Sequence, residues 1–364
     1  MGWIWSGIAL MLLMACDSSD TKVEKQPTML TVYVYSPDRP LPVRSSVGPV
    51  SATEAETMVT SLQIWIYDDA GKKVGYLNTA ETATLSSRGA TYQIPVSDEF
   101  AQQKPHVDVY VLANVTAGNC GITSTDFTSS TTRSRLHEKA KIVGIHYGLS
   151  PLTTAVPLAG LPMAGVLTDQ PVIGDAPVLR IGTQSEMATV SLTRAVSKLR
   201  FFFANTTGAS PLHITGITLN AGMIPDEEYL FPQGQALTYN TIPASLLSGT
   251  IANVATTPNP ASFIYDGQTA QEYEALLTDA GLTETTPYYL RESDKKLEGT
   301  ISYQVEGVEG TMTAPFRMSG AGDFMRNHSW IVYAYYEGLS GMQVVTVDVT
   351  PWDEIDEDHD IFNW

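Results

Sequence analysis

At 364 residues the chain exceeds one usual domain and is long enough for about two. Its 43% hydrophobic content, with 28 Gly and 21 Pro, describes a packed, turn-rich protein and argues against general disorder. A formal charge of −18 argues against nucleic acid as a partner, because binding to a phosphate backbone needs clustered Lys and Arg to release counterions.

The chain opens on an apolar run, residues 3–15, whose 13 residues are short for a bilayer span but suit the apolar region of a signal peptide. The run ends in Leu13, Met14, Ala15, Cys16, which resembles the bacterial lipobox. Residues 1–15 are then a lipoprotein signal peptide and Cys16 is the lipidation site. Each acyl methylene buried in a membrane contributes about 0.8 kcal/mol, so two or more long chains hold a protein there. No Lys or Arg precedes the run, and Met14 is bulky for its position, so ordinary cleavage with a free Cys16 stays open. Residues 16–29, including DSSDTKVEKQPT, read as a flexible leash.

Period-two alternation dominates the body. It begins with LTVYVY (30–35) and returns at Leu62, Ile64, Ile66, at Val107, Val109, Val111, at Leu199, Phe201, Phe203, at Ile301, Tyr303, Val305, at Trp330, Val332, Ala334 and at Val345, Val347, Val349. Short strands separated by Gly, Pro and Asn predict an all-β protein of antiparallel sandwiches. Trp65 and Trp330, placed within strands, are expected in the core. Helix is predicted only at 270–280, with Gly281 as its stop, and at 133–141. Between Tyr35 and Met58 lies a connection rich in Pro and Ser, of a length that is uncommon unless functional. An echo between the two halves, strand, gap, strand and then VDVYVLAN or NHSWIVYAYY, places a join near residue 185, approached through the Pro- and Gly-containing segment 161–175.

No active site is composed. There is no HExxH pair, the SxxK match at Ser293 and Lys296 has no accompanying KTG, and GLSG at 338–341 is not a GxSxG elbow. Asp356, Asp358 and Asp360 fail as a calcium loop because position six is Ile361, where Gly is needed. The expectation is a protein that is not an enzyme, with no cofactor and no metal. Cys120, beside Gly118, Asn119 and Gly121, lacks an activating neighbour and is expected to be an inert thiol.

The lipobox, SLQIWIYDDAGK (61–72), VYVLANV (109–115), LPMAG (161–165), LTRAVSKL (192–199), RNHSWIV (326–332) and VDVTPW (347–352) together resemble the fimbrillins of Bacteroidales, the subunits of type V pili. The resemblance implies two transthyretin-like β-sandwich domains in tandem, here 30–185 and 186–364. It also implies a lipid-anchored precursor at the outer membrane, whose first strand an Arg-specific surface protease removes. The opened sheet then takes a strand from another copy or a related pilus subunit, and the product is a cell-surface fimbrium serving adhesion. Arg44, followed by Ser45, is the expected processing site. Arg39 precedes Pro40, which blocks most trypsin-like cleavage, and Arg88 is a fallback. Loss of residues 16–44 is expected to leave an unpaired edge. The expected donor is the C-terminal end: Val345, Val347, Val349 and Trp352, then Ile355, Ile361, Phe362 and Trp364 in the acidic tail. A lipid-retaining anchor subunit, a tip adhesin and a glycan-binding surface lipoprotein remain as alternatives.

Overall fold

The computed structural model describes residues 26–35, 54–79, 89–116, 120, 127–139, 141–143, 156, 160–231, 236–257, 263, 270–318 and 324–349. Strands dominate them. The first eleven are β1 (Thr28–Tyr35), β2 (Leu62–Asp68), β3 (Lys73–Thr79), β4 (Ala90–Val96), β5 (Val107–Ala113), β6 (Lys141–Val143), β7 (Met163–Gln170), β8 (Val172–Asp175), β9 (Val178–Ile181), β10 (Thr189–Ser191) and β11 (Thr193–Arg194). After them come β12 (Ser197–Asn205), β13 (Leu212–Leu219), β14 (Glu227–Tyr229), β15 (Ala244–Ser245), β16 (Thr283–Glu284), β17 (Tyr288–Leu290), β18 (Glu298–Val305), β19 (Met312–Arg317), β20 (Ser329–Tyr336) and β21 (Met342–Val349).

Two sheets form from the first group, in the orders β10-β1-β9-β8, with β4 also paired to β1, and β11-β7-β5-β2-β3. Their facing sides share one core, in which Leu30, Val32 and Val34 meet Ile64, Ile66, Val109, Val111, Leu179 and Ile181. Sheets β16-β12-β20-β21, with β17 on β12, and β15-β13-β18-β19 make the second sandwich. Its core joins Leu199, Phe201 and Phe203 to Ile214, Ile217, Ile301 and Tyr303. Sheet membership changes between Arg194 of β11 and Ser197 of β12, and the short β6–β14 ladder ties a strand of each group together. The fold class is therefore all-β, as the alternation predicts.

Alternation alone misreads two outer faces. Trp65, Tyr67 and Tyr110 point away from the first core yet are buried, because residues 127–139 lie over them with Phe127 and Leu136 inward. The polar tips are satisfied there: Trp65 Nε1 donates to the Thr128 carbonyl at 3.0 Å and the Tyr67 hydroxyl to that of Thr131 at 2.8 Å. In the second sandwich β12 is buried at all nine positions. Helix Ala270–Asp279 covers its outer face, packing Tyr273 and Leu277 on Phe202, Ile331 and Tyr333. Gly281, at φ +67, follows that helix as its expected stop. The other expected helix spans Arg133–Lys139 and ends before Lys141, which begins β6. Trp65 and Trp330 are both fully buried.

Cys120 is enclosed among the aromatic side chains of that covered face, and burial pushes its thiol up to about 12. In a Cys16→Ser chain, a maleimide should therefore label Cys120 only along with global unfolding; fast labelling of the folded protein would contradict this burial. Phe201 stacks at 6.3 Å on Phe203 and meets Tyr288 and Phe316 edge-on. Phe201→Ala should cost about 3–5 kcal/mol in urea unfolding, and a loss below about 1 kcal/mol would mean that the second core collapses around the gap.

Candidate functional site

The sequence directs attention to β1, and the structure gives it an interior place. Along one edge it runs antiparallel to β4, from Thr28 opposite Val96 to Val34 opposite Ala90. Along the other it runs parallel to two strands in succession: Met29–Thr31 against Val178–Arg180 of β9, and Tyr33–Tyr35 against Thr189–Ser191 of β10. Both ends are fastened on that side. Met29 N–H donates to the Pro177 carbonyl and Leu192 N–H to that of Tyr35, each at 2.8 Å. Loss of β1 would thus leave a slot between two facing edges, and the single unpaired edge expected from the sequence is corrected accordingly. The cause is topology: β9 and β10 approach from far along the chain and close the side that pairing with β4 alone would leave open.

The slot has an apolar floor. Leu30, Val32 and Val34 are at most 1% exposed, whereas Met29, Thr31, Tyr33 and Tyr35 are half-buried on the other face. Ile94 of β4, Leu179 of β9 and Val190 of β10 belong to the same cluster and line the slot's walls. At its end Gly89, with φ +80, passes so close that a Cβ would lie 2.6 Å from the Val34 carbonyl oxygen. Thr28 adds a hydroxyl bond to Asp98 Oδ1 at 3.3 Å. Ladder and apolar burial therefore hold β1. Three such side chains contribute on the order of 5–9 kcal/mol on burial.

The expected donor residues divide. Val345, Val347 and Val349 lie in β21, an edge strand paired antiparallel to β20 from Tyr336 opposite Met342 to Ser329 opposite Val349. Val345 is half-buried against the cluster under helix Ala270–Asp279, and Thr346 donates to the Arg317 carbonyl of β19 at 2.9 Å. Trp352, Ile355, Ile361, Phe362 and Trp364 lie outside the described residues, as do Cys16, Arg44, Ser45, Arg39 and Arg88. Among the described residues no helix is long and apolar enough to cross a membrane.

Two buried ionic groups that no pattern advertised sit where the sandwiches meet. Glu56 in the short helix Glu54–Thr57 is fully buried, with Oε1 3.2 Å from Lys198 Nζ and accepting from the Tyr289 hydroxyl at 2.5 Å. Burial holds the Lys198 ammonium below its ordinary pKa, and the Glu56 carboxylate opposes that shift. In the second group, Arg326 reaches Glu228 at 3.0 Å, Glu292 at 2.5 Å and the Leu230 carbonyl at 2.8 Å. Burial raises the Glu228 carboxyl well above the usual carboxylate range despite Arg326. Both groups knit strands together, and neither lies at β1. One Glu of two in a polar stretch such as TEAET carries no sign of burial in its sequence.

No protein-family model matches the sequence. No curated protein matches it either. Solved structures do share the fold. A Bacteroides eggerthii protein assigned to cell adhesion superposes with a TM-score of 0.52 at 12% identity, covering 89% of this chain and 96% of that one. The tip fimbrial protein Mfa3 from Porphyromonas gingivalis, with C-terminal truncation, gives 0.50 at 14% identity, covering 89% and 100%. A Parabacteroides distasonis protein assigned to cell adhesion gives 0.50 at 14%, covering 89% and 98%. The structural neighbours of this chain are thus Bacteroidales fimbrial and adhesion-assigned proteins, and at such identities the likeness is one of fold.

Proposed function

We propose that this chain is a structural, non-catalytic subunit of a cell-surface pilus, assembled by exchange of its first strand for a strand of another subunit and serving adhesion. The observation that carries the reading is the interior position of β1. A strand paired on both edges and apolar on its inner face, and joined to the residues after it through 36–53, is separable by a cut there and replaceable by any strand of like pattern. In the same reading the precursor is exported as a lipoprotein, tethered to the outer membrane through Cys16, and cut between Arg44 and Ser45 by an Arg-specific surface protease. Two sandwich domains in tandem fit the change of sheet between Arg194 and Ser197, which lies somewhat beyond the join expected near 185.

The donor's chemistry is supported by the chain itself. VTVDVT (345–350) repeats the alternation of LTVYVY (30–35), with β-branched Val345, Val347 and Val349 spaced as Leu30, Val32 and Val34 are. Backbone pairing supplies affinity and the alternate pockets supply register, as in other β-augmentation. Donor and slot sit on different sandwiches, so the contact is heterologous and propagates as a filament.

One observation favours a second reading. β21 is paired along all eight residues with β20, which suits a terminal subunit that accepts a strand and keeps its own. A lipid-retaining anchor would differ again, by leaving Arg44 uncut.

N-terminal sequencing of the surface form tests these readings together. Ser45 as first residue, with SDS-resistant ladders in unboiled gels, is expected; Arg44→Ala should shift the product to the lipidated precursor and remove the ladders. Deleting residues 345–364 should also abolish the ladders in a chain that is still cut. Ladders that survive this deletion would rule out the C-terminal donor, whereas a cut chain that never forms ladders would favour the terminal subunit.

A further inference from the structure

The chain just after residue 53 is fastened differently from the strand before residue 36. Glu56 is held by side chains of the second sandwich, Lys198 on β12 and Tyr289 on β17, at 3.2 and 2.5 Å. Its backbone carbonyl accepts from Arg194 Nε at 3.2 Å, and Arg194 Nη1 donates to Asn327 Oδ1 at 3.1 Å. Asn327 N–H closes the circuit on the Val196 carbonyl at 2.9 Å, at the residues where the chain passes from one sandwich to the other.

Residues 58–60 are tied to the first sandwich by Asn114, at the end of β5. Its side-chain amide donates to the carbonyls of Met58 at 2.7 Å and Leu161 at 2.8 Å, and its Oδ1 accepts the Thr60 N–H at 2.7 Å. Gly160 makes room: a Cβ there would lie 2.4 Å from Asn114 Nδ2 and 2.6 Å from the Met58 carbonyl oxygen. All of these groups lie on elements other than β1.

We propose that residues 56–60 are a latch that stays closed across both sandwiches when β1 is withdrawn, so that a cut anywhere in 36–53 opens the slot without loosening the junction. The physical ground is the contrast in what holds each segment. β1 leaves behind backbone groups and the exposed Asp98 carboxylate, which water can reach, and apolar side chains that another strand can cover. Glu56, by leaving, would abandon the ammonium of a Lys198 that is only 5% exposed, and removing one partner of a buried ion pair is strongly unfavourable. The use of the latch after a cut rests on the processing proposed above. The fastening does not.

The test places the recognition sequence of a sequence-specific protease within residues 36–53 of the full chain, cuts it in vitro and follows hydrogen exchange by mass spectrometry. After cutting, peptides covering β1 should dissociate or exchange about 100-fold faster, while peptides covering 56–60 and 194–200 keep the protection of the uncut chain. Loss of protection at 56–60 together with β1 overturns the proposal. In the uncut chain, Glu56→Gln should speed exchange at 56–60 roughly 100-fold, and the double change Glu56→Gln with Lys198→Met should restore most of it, because removing both charges spares the unpaired one. If Glu56→Gln fails to fold, the cut wild-type chain decides. A cut chain that keeps 56–60 protected and yet never polymerises upholds the latch and counts against strand exchange.

Discussion

Backbone pairing of β1 on both edges is the constraint from which the rest of the molecule follows. An interior strand has its N–H and C=O groups satisfied from two sides, and withdrawing it exposes two rows of donors and acceptors above an apolar floor. Such a slot cannot stay empty at low cost: it collapses, aggregates or accepts another strand. β9 and β10 are short because they divide one edge of β1 between them, and the 182–188 segment between them folds back on itself, with Ala188 N–H donating to the Ile181 carbonyl at 2.9 Å. Remove β1 and these two strands lose their common template.

The second sandwich is built to the opposite rule. β12 is buried on both faces, between the core of its own sandwich and the helix Ala270–Asp279, and its charged members Lys198 and Arg200 are each paired, with Glu56 and Glu284. Arg200 also lies over the Phe202 ring at 4.9 Å. A strand so enclosed is not a candidate for exchange. The proposed strand exchange calls for one separable element among fixed ones, and here β1 is held by apolar burial while the junction carries the buried charge. Buried pairs add little net stability over apolar packing but tolerate few alternative arrangements. They therefore suit a junction whose geometry must persist while a strand beside it changes.

How far the sequence discloses this depends on the range of the interaction involved. The inward set Leu30, Val32, Val34 is visible as alternation, because side-chain direction in a strand is a local property. Which strands flank β1 is not visible: residues 178–180 and 189–191 are brought there by the closure of the whole sandwich, and nothing in VLRI or TVS names a parallel partner at residues 29–35. Trp65 reads correctly as buried within a strand, but the cover over it and Tyr67, residues 127–139, has no periodicity that assigns it to that face. Glu56 is the extreme case. Its burial depends on Lys198 and Tyr289, cross-strand neighbours on β12 and β17 of the second sandwich, which Glu56 meets only once both sandwiches exist.

In the proposed exchange, the covalent connection through residues 36–53 decides when the slot is available. While it is intact, β1 returns to its own slot in an intramolecular step, which covalent linkage favours over capture from solution by raising the effective concentration. A donor strand from another copy, of similar alternation and thus of similar burial gain, competes at the much lower concentration of a second molecule and loses. Cutting the connection leaves every contact of β1 in place at that instant, so stability in the static sense is unchanged. What is lost is the return: once β1 departs it is diluted, and a donor that is tethered to a neighbouring subunit gains the same advantage that β1 had. In that reading, one peptide bond would convert a monomer favoured by connectivity into a subunit favoured by assembly, without any difference in affinity between the two strands.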